Sequence, residues 1–151
     1  MTAVGRGVLL AEGEGRRVGV GSDLMTVKGD GQKDRFSIVE YEAAAGAPGP
    51  PPHVHHSNEE GFYILEGSVD FMLDGKTARL TEGGFVLVPP EVRHTFVNAG
   101  SGLARWVGIF SPGHYRQLVE ELGALMPASG PPDAAEVAAL FARYDTEIVE
   151  A

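Results

Sequence analysis

The 151-residue chain has no cysteine. No disulfide can hold it together, and any metal site has to be built from imidazole and carboxylate in place of thiolate. Positive charge is also scarce: 12 Lys and Arg stand against 21 Asp and Glu, a formal net charge of −9. That balance repels phosphate backbones, and no basic cluster offsets it, so nucleic acid is not expected as a partner. No apolar run approaches the roughly 20 residues of a membrane span. Met1 to Leu10 also lack the apolar stretch of a signal peptide. The expectation is a soluble, cytoplasmic protein with no membrane partner.

What is present suits a packed core. Hydrophobic residues make up 43% and charged residues 22%, close to ordinary globular usage. The 21 Gly and 10 Pro imply many tight turns between short elements, which favours an all-β architecture. The length fits one domain over 1–151, with a core barrel over about 8–110 and a helical extension over about 112–146.

Short apolar runs in the first forty or so residues, Val8-Leu9-Leu10, Val18-Gly19-Val20, Leu24 to Val27 and Phe36 to Val39, alternate with Gly- and Asp-rich punctuation such as Gly29-Asp30-Gly31. They read as strands and hairpin turns. Pro48, Pro50, Pro51 and Pro52 then force an extended path that delivers the chain to His53. Strand signals continue through Gly61–Leu65, Val69–Leu73, Thr77–Leu80, Phe85–Val88, His94–Asn98 and Ala104–Phe110, with Asp74-Gly75 as a strong hairpin turn.

After Ser111 the period changes to three and four residues, at Tyr115, Leu118, Val119, Leu122 and Leu125. This predicts a helix with Ser111 as N-cap and Pro112 in its first turn. A second helix is expected to start at Pro131-Pro132-Asp133, with Asp133 as cap and Val137, Leu140, Phe141 and Tyr144 as its buried stripe. Both helices are expected to pack on the barrel's outside, with closure of its mouth as the alternative. Unpaired edges at Val8–Leu10 and Leu24–Val27 suggest a homodimer.

His53-Val54-His55 alternates, so on a strand both imidazoles project from one face. Glu60 follows five residues after His55, and a distant strand presents His94. Three imidazoles and one carboxylate suit Mn, Fe, Co, Ni or Zn as divalent ions, whereas Ca and Mg prefer oxygen ligands. His56 should face away from that site, and His114 is isolated. Parity turns Asn98 inward as a hydrogen-bonding residue.

These residues resemble the cupin superfamily. His53, His55, Glu60 and Gly67 match its first motif, and Gly83, Pro89, His94 and Asn98 match its second. Ala47 and Glu91 stand where the two motifs have glycine. The resemblance implies a double-stranded β-helix, the cupin jelly-roll barrel, with two short C-terminal α-helices. It also implies one divalent transition metal ion held by His53, His55, Glu60 and His94. The motif's six-residue gap to Gly67 selects Glu60 over Glu59, and alternation then makes Phe62 and Ile64 pocket walls, with Phe96 a third candidate.

Pro51-Pro52-His53-Val54-His55, the run from Glu60 to Gly67 and the Ser111-Pro112 end are similar to quercetin-dioxygenase-like cupins. In those a metal binds a flavonol or related enol and dioxygen cleaves a carbon–carbon bond. The expected activity is therefore a metal-dependent dioxygenase acting on a small enolisable aromatic molecule, with Glu60 as catalytic base. The alternatives are a non-oxidative isomerase, cyclase or lyase, and a small-molecule binding or sensing module without turnover.

Overall fold

The structure is a computed structural model that describes residues 2–4, 7–30, 35–126 and 132–150. Strands β1 (Thr2–Val4) and β2 (Gly7–Leu9) form a small hairpin of their own. Then come β3 (Arg16–Val20), β4 (Asp23–Asp30), β5 (Ser37–Ala43), β6 (His53–His55), β7 (Glu59–Glu66) and β8 (Ser68–Leu73). The barrel continues through β9 (Lys76–Thr81), β10 (Phe85–Val88), β11 (His94–Val97) and β12 (Ala104–Ser111). Helices α1 (Tyr115–Leu125) and α2 (Ala134–Arg143) follow, and a last strand, β13 (Thr146–Ile148), returns to the barrel.

Two antiparallel sheets face each other as a double-stranded β-helix. One has six strands in the order β10-β7-β12-β5-β4-β3, the other five in the order β13-β6-β11-β8-β9. Strict alternation drives this packing: Ser37, Val39, Tyr41 and Ala43 of β5 are buried while Ile38, Glu40 and Glu42 are only partly covered. On β12 the same parity buries Ala104, Trp106, Gly108 and Phe110. The two inner faces meet in an aromatic core in which Trp106 stacks on Tyr41, with ring centroids 5.1 Å apart, and Phe62 and Phe71 lie 5.3 Å apart.

Turn chemistry sets the register. Asp74 and Gly75 both take positive φ, 46° and 79°, the mirror-image turn that matches strand twist between β8 and β9. Gly67, at φ 74°, admits no side chain, because a Cβ there would sit 2.4 Å from the Leu103 carbonyl oxygen. Asn98 turns inward and donates to the carbonyls of Ala43, Ala44 and Gly102 while accepting from the Gly100 amide, so it ties the β11–β12 loop to the end of β5.

Several expectations need correction. Ser111 does not cap a helix: it ends β12, paired with Glu59, and its hydroxyl donates to the Arg35 carbonyl. The ladder with β7 holds the chain extended there, and α1 begins only after His114, whose side chain makes no capping bond. Asp133 does cap α2, accepting from the amides of Ala135 and Glu136. Leu24–Val27 is not an edge, because β4 lies between β3 and β5. Gly31 and Pro131 lie outside the described residues. No helix among the described residues is long and apolar enough to cross a membrane.

The helices also sit differently from the first expectation. Leu118, Val119 and Leu122 of α1, with Val137 and Phe141 of α2, line the cavity at the barrel's mouth. Their apolar stripes close the barrel at that end rather than only coating its outer wall, because β13 draws the chain after α2 back onto β6.

Candidate metal centre

Strand β6 buries both His53 and His55 and leaves Val54 partly exposed. On β11, His94 stands opposite His53 in the ladder, so two neighbouring strands bring three imidazoles together. Strand β7 belongs to the other sheet and turns Glu60 inward while Glu59 is exposed, which separates the two carboxylates. His53, His55, Glu60 and His94 are all buried, and one potential ligand atom from each lies within 4.8 Å of the others.

Hydrogen bonds fix which nitrogen faces the centre. The Nδ1 atoms of His53 and His94 each lie 2.9 Å from a carbonyl oxygen, of Pro51 and Val92 respectively. A carbonyl only accepts, so both rings carry hydrogen on Nδ1. His55 Nδ1 lies 2.7 Å from the Thr146 hydroxyl, which itself donates to the Tyr144 carbonyl at 3.0 Å. With its proton committed, that hydroxyl accepts from His55 Nδ1. In its neutral form each ring therefore turns an Nε2 lone pair to the centre.

This arrangement asks for positive charge. His55 Nε2 and His94 Nε2 lie 2.8 and 3.1 Å from the two carboxylate oxygens of Glu60. His55 Nε2 and Glu60 Oε1 are buried polar atoms with no hydrogen-bond donor. A divalent transition metal ion satisfies all four groups at once, and nitrogen-rich donor sets of this kind suit such ions. Burial alone would raise the Glu60 carboxyl, but hydrogen bonds from the adjoining His55 and His94 rings hold it down to about 2. Burial, reinforced by His94 and His55, pushes His53 down to about 3, which keeps it neutral, the form that coordinates.

Thr146 gave no signal in the sequence, because it meets His55 across 91 residues through a three-residue strand. Partners that orient a metal-binding imidazole typically account for about 10–100-fold in affinity. Thr146→Val, similar in shape but without the hydroxyl, is expected to weaken metal binding by about that factor. Thr146→Ser should retain most of it, and a competition titration against a chromophoric chelator measures both. Equal affinities for the valine and serine variants would count against the orienting role.

Beside the four residues lies a cavity of about 470 Å³. Its walls are largely apolar, from Met25, Phe96, Tyr115, Leu118 and Phe141 to the loop over 48–51. That loop packs close enough to β11 that a Cβ on Gly49 would overlap the Phe96 carbonyl oxygen at 1.5 Å. Of the three expected wall residues, Phe96 lines the cavity. Phe62 and Ile64 are 1% and 0% exposed and lie in the core, with the Phe62 ring 5.6 Å from that of Phe96. Alternation identified their inward face but not their depth.

Two tyrosines and an aspartate, none of them marked by the sequence as a site residue, also line the cavity. Tyr41 donates to the Tyr115 hydroxyl at 3.4 Å. Burial, with the mutual contact and the Glu60 charge adding to it, keeps the Tyr41 phenol protonated well above the usual tyrosine range. Burial and then Glu60 raise Tyr115 as well.

Asp23, at the β3–β4 turn, is partly buried, and this raises it from 3.8 to about 6, outweighing a bond from the Ser22 hydroxyl. A folded-state pKa above the unfolded one means the group's contribution is full below about pH 3.8 and is lost as pH rises through about 6. Asp23→Asn should therefore raise the melting temperature near neutral pH and give progressively less gain toward about pH 4. Thermal denaturation across that range checks the convergence.

The remaining motif residues fall outside the cluster. His56 is exposed and pairs with Glu91 at 3.1 Å, while His114 stacks against Tyr144 with centroids 5.9 Å apart. Glu91, which replaces a motif glycine, keeps a glycine-like φ of 66°. Its amide donates to the His55 carbonyl at 2.8 Å, so the turn is braced against β6 despite the unfavourable backbone.

The cupin domain family matches residues 39–110, the segment that holds all four clustered residues. Residues 39–110 are a cupin domain. The chain is 33% identical over 90 residues to quercetin 2,3-dioxygenase of Bacillus subtilis, which covers 58% of the chain and 26% of that protein. It is 38% identical over 60 residues to polyketide synthase CurC of Streptomyces cyaneus, covering 40% of the chain and 39% of that protein. The chain thus spans well under half the length of either relative.

Among solved structures, an RmlC-like cupin from Shewanella frigidimarina superposes with a TM-score of 0.63 at 23% identity, covering 72% of this chain and 93% of that one. KdgF from Halomonas superposes with a TM-score of 0.65 at 20% identity, covering 74% and 98% respectively. At these identities the likeness shows the fold. Tyr115, the helices and Thr146 lie beyond the matched family segment.

Proposed function

We propose that this cupin is a metal-dependent dioxygenase acting on an uncharged, flavonol-like or otherwise enolisable aromatic molecule. His53, His55, Glu60 and His94 would hold one divalent transition metal ion. Bound there, the ion supplies Lewis acidity toward a substrate oxygen. The observation that carries the reading is the character of the cavity: aromatic and aliphatic walls surround the cluster, and neither Lys nor Arg is among its lining residues. With Glu60 and Asp23 as its charged groups, such a pocket disfavours phosphorylated or carboxylated substrates and suits a planar apolar one.

Each protein group has a part that its position supports. Phe96, Leu118 and Phe141 orient an aromatic ring and exclude water, and the buried Glu60 carboxylate takes up an enol proton. The similarity to quercetin 2,3-dioxygenase supports the oxidative form. The test is dioxygen uptake by protein loaded in turn with Mn, Fe, Co, Ni or Zn and supplied with a flavonol. Metal-dependent uptake with ring-opened product is expected, and flavonol recovered intact with every metal would overturn the oxidative reading.

A second reading has its own support. The similarity to polyketide synthase CurC favours a non-oxidative cyclase or related activity on an aromatic precursor in the same cavity. Product formed without dioxygen would select it. A homodimer also fits the surface: Val8 and Leu9 are exposed on the first hairpin, and Tyr63, Phe85, Leu87 and Ile109 are exposed on the outer side of the six-stranded sheet. Light scattering should return twice the monomer mass, and a monomer at micromolar concentration would remove the dimer.

A further inference from the structure

The tyrosine pair in the cavity has one hydrogen too many. Each phenol brings one O–H and two lone pairs. Tyr41 gives its hydrogen to Tyr115, and at 3.4 Å this bond is longer than the usual O–H···O separation of about 2.8 Å. The Tyr115 hydrogen has no acceptor among the described residues. Both side chains line the cavity beside Glu60, in surroundings that are otherwise largely apolar. A donor left over in such a place is a demand for an acceptor that the protein does not supply.

The donor is also held still. The Tyr115 ring stacks on Phe110 at 3.6 Å and 2° from parallel, and Tyr41 stacks on Trp106 at 5.1 Å and 10°. Rigid aromatic backing on both rings positions the hydroxyls before any ligand arrives, which lowers the ordering cost of binding. Tyr115 opens α1, so the group that would greet the ligand belongs to the element closing the cavity.

We propose that Tyr115 is a specificity-determining residue whose hydroxyl donates to the enol or enolate oxygen of an aromatic substrate, with Tyr41 as the positioning residue behind it. This rests on the cavity being the substrate site. It is independent of whether dioxygen takes part. An aromatic lacking that oxygen would leave the donor unmet, so the pair would discriminate between otherwise identical ring systems.

The test compares a flavonol with the matching flavone, which lacks the 3-hydroxyl, as probes of the full chain. Protein is loaded with Zn under anaerobic conditions, so that binding is read without turnover, and the titration is repeated on metal-free protein. The sole tryptophan, Trp106, stacks on Tyr41 and reports binding by its fluorescence. Tyr115→Phe keeps the ring stack and is expected to weaken flavonol binding by about 10–100-fold, the usual range for a hydrogen bond to a charged group. Flavone binding should be unchanged, and Tyr41→Phe should weaken flavonol binding by less.

Equal flavonol affinity for wild type and Tyr115→Phe would overturn the proposal. So would equal weakening of flavonol and flavone, which would indicate a structural effect, or failure of the wild type to bind flavonol. Tyrosine-dependent binding without any dioxygen uptake would instead sustain it and remove only the oxidative reading.

Discussion

A His53→Ala, His55→Ala double variant is expected to lose stoichiometric metal altogether, measured by elemental analysis of protein purified without chelator or affinity-tag nickel. The two residues supply half of the proposed ligands, and the Nδ1 bonds to Pro51 and Thr146 aim both lone pairs at the centre. Removing them leaves Glu60 and His94, too few groups to hold an ion against the buffer. The loss should also appear in stability. Free metal at about 1,000 times its Kd stabilises a folded protein by about 4 kcal/mol, which for a chain of this size corresponds to roughly 8–16 °C in melting temperature. Wild type should show that rise on adding metal and the double variant should not. Full metal retention by the double variant would remove the assignment.

The second large effect is expected at Glu60. With Glu60→Gln loaded to full metal occupancy, turnover should remain about 10²–10⁴-fold below wild type, the usual cost of losing a general base. An amide of the same shape cannot accept the enol proton near neutral pH. The opposing outcome is specific: near wild-type turnover at full occupancy would leave Glu60 as a ligand only. A further signature separates chemistry from folding. In metal-free wild type the carboxylate lies 2.8 and 3.1 Å from the Nε2 atoms of His55 and His94, and, against the effect of burial, hydrogen bonds from those rings hold it down to about 2. A folded-state pKa below the unfolded one contributes stability that is full above about pH 4.5 and is lost as pH falls toward about 2. Metal-free Glu60→Gln should therefore melt below metal-free wild type near neutral pH, with the gap closing as pH falls, and its metal-loaded form should melt below the loaded wild type.

The sequence carried the cluster further than it carried the cavity. The period-two spacing of His53 and His55, the gap that favours Glu60 over Glu59 and the separate strand signal at His94 are local patterns, and the structure brings those four side chains together. Asn98 and His56 likewise follow from strand parity. Depth does not: Phe62 and Ile64 face inward but are buried in the core away from the cavity, since parity says which side a residue takes and not how many layers cover it. An amphipathic stripe likewise names the buried side of α1 and α2 without saying what they cover. Ser111 was misread because Ser-Pro resembles a helix start, whereas its backbone groups were already committed to β7. Thr146 carries no local mark, and Tyr115 only that of a helix stripe, because the partners that give them a place in the site lie 91 and 74 residues away.

The return of β13 to β6 bears on how the molecule is made. A ribosome extends a chain at about 5–20 residues per second, so the stretch between His55 and Thr146, 91 residues, takes on the order of 5–20 seconds to appear. Throughout that interval the strand bearing two of the three clustered histidines has an open outer edge, which β13 later pairs at Thr146, Glu147 and Ile148. An unpaired edge is a hazard for association with other nascent chains. Brevity limits the hazard, because β6 offers only three residues. Pairing across so long a separation also belongs to the slow part of folding. Ion capture would then come late, once Thr146 has fixed the ring of His55, and metal supplied during synthesis should matter less than metal supplied after release.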